Sequence, residues 1–289
     1  MTGAAIAKIT NALTIDVEDY FQVAAFAPHI SRSQWHEREC RVEANVDRIL
    51  AMLDEHRVSA TFFTLGWIAE RYPLLVRRIV DNGHELASHG YGHERASGQT
   101  PAAFHADIQL AKLILEDIAG QEVMGYRAPS FSIGKGNLWA FDCLARAGYR
   151  YSSSIYPIRH DHYGMPDAPR FAHRVGNVLE LPVTTLRLAN RNWPASGGGY
   201  FRLLPYGLSR WLLRQVNERE GQPAIFYFHP WEIDVHQPRV QGVGAKARFR
   251  HYVNIPFMES RLRRLLADFD WGRMDRIFID HDQYQATAA

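Results

Sequence analysis

At 289 residues, with 46% apolar and 22% charged side chains, the chain has the composition of an ordinary globular protein of one large domain or two small ones. A formal charge of +2, with no basic block or stripe, excludes a nucleic-acid partner on electrostatic grounds. The two cysteines, Cys40 and Cys143, stand in unrelated contexts, which excludes a disulfide framework and favours a reducing compartment.

Strand-like runs alternate with helical patterns along most of the chain. Residues 12–17 read as a first strand. Residues 43–56 place Val46, Ile49, Leu50 and Leu53 at helical spacing. The β-branched and aromatic run 59–64 is a second strand, and 73–82 is a helix opened by Pro73 and stopped by Gly83. A third strand, 85–88, leads into a Gly-rich turn. A helix over 101–118, a strand over 122–127, a helix over 137–147 and a strand over 149–153 follow. Residues 156–205 are richer in Pro, Gly and Arg, and are expected to form long loops and short strands over one end of the core. The alternation resumes with a helix over 204–220, a buried strand over 224–229 and a long helix over 257–269. Such β-then-α order predicts a parallel sheet, open or closed into a barrel.

Two further readings concern the chain's surroundings. No apolar run is long enough for a transmembrane segment, and the N-terminus up to Asn11 does not read as a signal peptide. The expected location is therefore cytoplasmic. Oligomeric state is not readable.

The chemistry centres on His84-Glu85-Leu86-Ala87-Ser88-His89-Gly90-Tyr91-Gly92-His93. His89 and His93 stand four residues apart, a spacing that puts both imidazoles on one face of a helical turn, toward one metal ion. A carboxylate is needed as third ligand, and Asp16, Glu18 and Asp19 close the first strand. His84 lies on the strand's approach and reads as a packing or hydrogen-bonding residue. Asp16, His89, Arg127 and His229 each lie at or just past the C-terminal end of a different strand. Parallel α/β folds collect their active-site groups at that edge. Together these positions suggest a mononuclear metal hydrolase.

Four motifs in order then resemble the polysaccharide deacetylases (carbohydrate esterase family 4, the NodB homology domain). They are Thr14-Ile15-Asp16-Val17-Glu18-Asp19, Ser88-His89-Gly90-Tyr91-Gly92-His93, Arg127-Ala128-Pro129-Ser130-Phe131 and Phe226-Tyr227-Phe228-His229-Pro230-Trp231. The resemblance is closest to a subgroup associated with bacterial exopolysaccharide export, through Asp16-Val17-Glu18-Asp19-Tyr20-Phe21, Gly197-Gly198-Gly199-Tyr200-Phe201-Arg202 and Phe228-His229-Pro230-Trp231-Glu232. It implies an α/β fold, a deformed (β/α) barrel with long loops over the C-terminal strand edge. It also implies a single deacetylase-like domain, with its motif-bearing core over about 12–232 and a C-terminal extension over about 233–289.

The implied activity is metal-dependent removal of N-acetyl groups from a bacterial exopolysaccharide or its precursor, with zinc as the default ion. An acetamide is a poor electrophile, so its carbonyl must be polarised, a water deprotonated and the leaving amine protonated. The resemblance assigns metal binding to Asp16, His89 and His93. Asp16 and Glu18 are the candidate catalytic carboxylates, Arg127 the orienter of the base through two parallel hydrogen bonds, and His229 the acid. Most family members carry two adjacent aspartates where this chain has Asp16-Val17. Asp16 and one of Glu18 or Asp19 therefore divide the base and ligand roles, with the division left open. Alternate side chains of a strand share a side, so Asp16 and Glu18 can face the same ion.

Tyr91, Pro129, Phe131 and Trp231 are expected to touch the carbohydrate. Arg159, His160 and His162 form a basic cluster that reads as a solvated loop. Two other functions fit the same motifs: hydrolysis of a small linear or cyclic amide, as in the allantoinase-like relatives, and a non-catalytic sugar-binding role in an export system.

Overall fold

In the computed structural model, which describes residues 9–161 and 163–280, the first strand sets the architecture. β1 (Thr10–Val17) divides its side chains between two cores. Leu13, Ile15 and Val17 join Val42, Val46, Ile49 and Leu53 of α1 (Val42–Glu55) in an outer cluster. Ala12 packs instead with Phe63, Ala87, Tyr151 and Ile225 inside the sheet. Thr14 and Asp16 share that inner parity. Burial on both faces is the mark of a central strand in a parallel sheet.

β2 (Thr61–Thr64), β3 (Glu85–Ser88), β4 (Gly125–Tyr126) and β5 (Tyr151–Ser152) follow β1 across the sheet, each parallel to the one before. β7 (Val178–Glu180) joins β5, and β10 (Ile225–Phe228) joins the other side of β1, again in parallel. β6 (His173–Val175) runs antiparallel to β7, and β11 (Asp270–Gly272) pairs with the start of β1. Between the two ends of the sheet, Ile225 N donates to Thr184 Oγ1 at 2.6 Å. The sheet thereby curls into a deformed (β/α) barrel.

Helices α2 (Gly66–Arg71), α3 (Pro73–Asp81), α4 (Pro101–Ala119) and α5 (Ala140–Arg146) provide the crossovers between β2 and β5. The chain then forms a separate hairpin, β8 (Thr185–Leu188) and β9 (Arg191–Pro194), before α6 (Gly198–Leu203) and α7 (Tyr206–Glu220). α8 (Ala245–Tyr252), α9 (Ile255–Asp268) and α10 (Met274–Phe278) complete it. α10 closes the N-terminal end of the barrel. Met274 N donates to Thr61 Oγ1 at 2.8 Å, and Asp275 N to Glu85 Oε2 at 3.1 Å. From the opposite wall the Tyr151 hydroxyl donates to Glu85 Oε1 at 2.7 Å. With that end plugged, the C-terminal edge is the barrel's open mouth.

Several sequence expectations change in the structure. Residues 89–93 are not a helical turn: Gly90 (φ +75°) and His93 (φ +53°) bend the chain as an irregular loop. The strands read over 122–127 and 149–153 shrink to β4 and β5, where Gly125 leaves room for the Tyr151 ring, 2.1 Å from where a Cβ would stand. α2 was not legible. Its first turn starts from tertiary contacts, with Gly66 N on Gly90 O at 2.9 Å and Trp67 N on Tyr91 O at 3.0 Å. The stretch 156–205 carries β6 to β9 and α6. No helix among the described residues is long and apolar enough to cross a membrane. Residues 1–8, on which the signal-peptide reading rests, and His162 lie outside the described residues.

His84 is the packing residue its position suggests. Its Nδ1 accepts from Ala60 N at 3.1 Å and its ring leans on Phe62, with centroids 5.0 Å apart. Burial, helped by the Arg273 charge, lowers its pKa from 6.5 to about 4. The folded chain thus refuses a proton that the unfolded chain takes up, so this contribution to stability is complete above pH 6.5 and lost toward pH 4. The expected loss is up to about 3 kcal/mol. Urea unfolding at neutral pH and at mildly acid pH should show a larger acid loss in the parent than in His84→Gln, whose amide oxygen still accepts from Ala60. Equal losses in both proteins would contradict this.

Candidate active site

The mouth of the barrel gathers five polar side chains from three strand ends. β1 delivers Asp16 and, just beyond it, Glu18, both 2% exposed. Val17 between them faces the helical layer, so parity brings the two acids to one side without an adjacent pair. β3 ends at His89, and the loop after it returns His93. β10 ends at His229.

Glu18, His89 and His93 offer ligand atoms that all lie within 4.8 Å of one another. Glu18 Oε2 stands 2.6 Å from His93 Nε2 and has no other partner. His89 Nδ1 lies 2.8 Å from the Arg127 carbonyl. A carbonyl only accepts, so Nδ1 carries the proton and Nε2 keeps its lone pair. Burial pushes the His89 imidazole down to about 4, with His93 adding to the effect against Asp16 and Glu18. Burial would raise the Glu18 carboxyl, but His93, His229 and His89 together hold it well below the usual carboxylate range. A neutral imidazole, an ionised carboxylate and a second imidazole form a donor set that fits a divalent ion such as zinc.

Asp16, expected to share in metal binding, stands outside this group. Its Oδ1 accepts from Arg127 Nη1 at 2.6 Å, and its Oδ2 lies 3.9 Å from His229 Nε2. Arg127 is fully buried and does not grip Asp16 with two parallel bonds. Its remaining donors go to Thr14 Oγ1 at 2.8 Å, Ser153 O at 3.2 Å and Ser153 Oγ at 3.0 Å. The guanidinium also lies 4.1 Å over the Phe63 ring. Asp19, the third acid of the motif, turns away: it accepts from the backbone N–H groups of Tyr20, Arg41 and Val42 and anchors the start of α1.

His229 bridges the acids. Its Nε2 is 3.5 Å from Glu18 Oε1, and its Nδ1 is 3.3 Å from Glu232 Oε1. Burial disfavours its charge, but Glu18, Glu232 and Asp16 outweigh this and raise its pKa to about 9. A cation on Glu18 would remove part of that support and leave Glu232 on the ring's other side. Glu232 is the residue whose role sequence reasoning missed; its signal was the position three after His229. It is 1% exposed, and Arg202 Nη2 lies 3.5 Å from its Oε1. Gly198 makes room for this carboxylate: a Cβ there would fall 1.5 Å from Glu232 Oε2.

The four residues expected to touch carbohydrate differ in placement. Trp231 is 5% exposed, stacked between His229 at 5.2 Å and His251 at 4.1 Å, and donates to Glu18 Oε1 at 3.2 Å. Pro129 opens a buried turn, and Phe131 packs edge-on against Tyr227 at 4.8 Å. Trp231 walls the site, and the Phe131 ring lies 5.6 Å from the Arg127 guanidinium. Tyr91 turns to α2, its hydroxyl donating to Glu70 Oε2 at 2.8 Å.

Residues 37–152 match the family described as polysaccharide deacetylase, and residues 153–279 match a domain of unknown function (DUF3473). β1 with Asp16 and Glu18 precedes both matches, while His229 and Glu232 belong to the second. Among named relatives, the peptidoglycan deacetylase of Helicobacter pylori is 29% identical over 119 residues, 39% of this chain and 38% of that protein. The chitooligosaccharide deacetylase of Bradyrhizobium sp. is 33% identical over 97 residues, 34% of this chain and 42% of that protein. The alignment thus spans less than half the length of either. A solved Mycobacterium smegmatis structure assigned to the polysaccharide deacetylases covers 98% of this chain and 93% of its own, with a TM-score of 0.62 at 22% identity. That likeness supports the barrel. Over residues 37–152, the chain is thus similar to the polysaccharide deacetylases.

Proposed function

We propose that this protein is a metal-dependent deacetylase that hydrolyses N-acetyl groups on a carbohydrate, with a bacterial exopolysaccharide or its precursor as the substrate class. The observation that carries the reading is the convergence of Glu18, His89 and His93 beside a separately anchored Asp16 and a charged His229. The named relatives act on chitooligosaccharide and peptidoglycan, which supports an N-acetylated sugar substrate.

In this reading Glu18, His89 and His93 hold a divalent ion, zinc by donor type. When bound, such an ion supplies Lewis acidity, polarising the acetyl carbonyl and easing deprotonation of water. Asp16, fixed by Arg127 through one oxygen, takes the water's proton on the other. His229 protonates the departing amine from Nε2, while Glu232 accepts from Nδ1 and keeps the ring's orientation. Trp231 blocks one face of His229 and limits water there. The free thiols, Cys40 and Cys143, support a reducing, cytoplasmic setting.

The two carboxylates are separable by experiment. Glu18→Ala and His89→Ala are expected to lose bound metal in elemental analysis and all measurable acetate release from chitopentaose. Asp16→Asn should retain the metal and lose about 10²–10⁴-fold in kcat. Metal loss in Asp16→Asn with retention in Glu18→Ala would reverse the assignment. Allantoin turnover without acetate release would replace the substrate class.

Glu232→Gln removes a buried charge but keeps an acceptor for His229. Its metal content should be unchanged, and kcat should fall about 10-fold or more with KM nearly constant, as for loss of a transition-state interaction. A change confined to KM would place Glu232 in substrate binding instead.

A further inference from the structure

A large cavity lies outside the site just described, between the β8–β9 hairpin, α6–α7 and the loop before β6. Its volume is about 950 Å³, at the upper end of the range for ligand sites. Of the seven tryptophans in the chain, only Trp193 and Trp211 are exposed, at 51% and 43%, and both line this groove. Exposed apolar side chains gathered in one groove commonly mark a binding site. Leu203 and Leu208, also exposed, complete an apolar floor.

The rim is cationic. Arg159, Arg187 and Arg191 border the groove. Neither Arg187 nor Arg191 forms an ion pair or side-chain hydrogen bond among the described residues, and both are exposed. Asn190 and Asn192 add amide donors and acceptors to the same edge. Flat apolar platforms bordered by amides suit the faces and hydroxyls of sugar rings. Unpaired guanidinium groups add a preference for carboxylates.

α6 links the groove to the candidate active site. α6 starts against Glu232 at Gly198 and carries Tyr200 and Leu203 into the groove. Six residues of helix span about 9 Å. Tyr200 packs in one cluster with Phe131 and Tyr227, and Tyr227 meets the His229 ring at 5.8 Å. A single monosaccharide cannot reach both places, whereas an oligosaccharide can.

We propose that this groove is a remote subsite that binds an acidic segment, one carrying uronate-type carboxylates, of the polymer whose acetyl group is cleaved. The identity of that polymer as substrate rests on the deacetylase reading, but binding at the groove does not. Tryptophan emission of the full chain, titrated with hyaluronan octasaccharide and with chitohexaose, reads the site directly. The acidic octasaccharide should saturate the signal with at least 10-fold higher affinity than the neutral hexamer. Arg187→Gln with Arg191→Gln should abolish that preference, and Trp193→Ala with Trp211→Ala should weaken octasaccharide binding at least 10-fold, followed by an added extrinsic label. Both variants should release acetate from chitobiose at the parental rate, which reports a folded protein.

Equal affinity for the two saccharides, or affinity unmoved by either double variant, would overturn the proposal. So would preferential saturation by dodecyl phosphate, which would give the groove to a lipid. Octasaccharide binding that disappears in His89→Ala would place the ligand at the metal-site residues and overturn it equally. Groove binding that persists in a chain releasing no acetate would support the subsite and sink the deacetylase reading alone.

Discussion

A single buried cation, the Arg127 guanidinium, ties the mouth of the barrel together. It crosses from the end of β4 to β1, bonding Asp16 and Thr14 on one side and Ser153 beyond β5 on the other. It has no exposure to solvent, and those acceptors and the Phe63 ring surround the buried charge. Removing one partner of such a pair costs about 3–5 kcal/mol, because the other charge stays buried and unmatched. The same residue acts twice on the site. Its side chain sets the aim of Asp16, and its carbonyl sets the tautomer of His89.

Support for that arrangement extends through the second matched stretch. Glu180 Oε1 accepts from the backbone of Ser154 at 2.9 Å and Ile155 at 2.8 Å, which fixes the turn presenting Ser153 to Arg127. Burial raises the Glu180 carboxyl to about 7 against those hydrogen bonds. His229, Trp231 and Glu232 come from the same stretch, and Arg202 and Gly198 seat Glu232. The site is therefore composite: acids from β1, imidazoles after β3, an arginine after β4, and the His229–Glu232 pair after β10. The region described as a domain of unknown function supplies part of the site.

Burial and charge separate histidines that look alike in sequence. His89 is driven neutral by desolvation, whereas three carboxylates keep His229 charged. His84 is also held neutral, but it sits on the approach to β3, with an amide to satisfy and the Arg273 charge nearby. Identity of the residue says little about its chemistry until the neighbours are known.

The amino-acid pattern by itself determined the succession of strands and helices, the parallel sheet, and the set of strand ends at which Asp16, His89, Arg127 and His229 emerge. It could do so because a period of two, a period of 3.6 and Gly or Pro punctuation are local properties. Strand parity likewise made Asp16 and Glu18 neighbours on one side despite Val17. The tertiary structure alone decided which acid joins the histidines, since Arg127 is 111 positions from Asp16 and claims it by distance rather than by spacing. It also turned the His89–His93 segment into a loop, recruited Glu232, and left Trp193 and Trp211 open to solvent beside unpaired arginines. Each of these depends on how strands far apart in the chain close around one interior, and no local period encodes that.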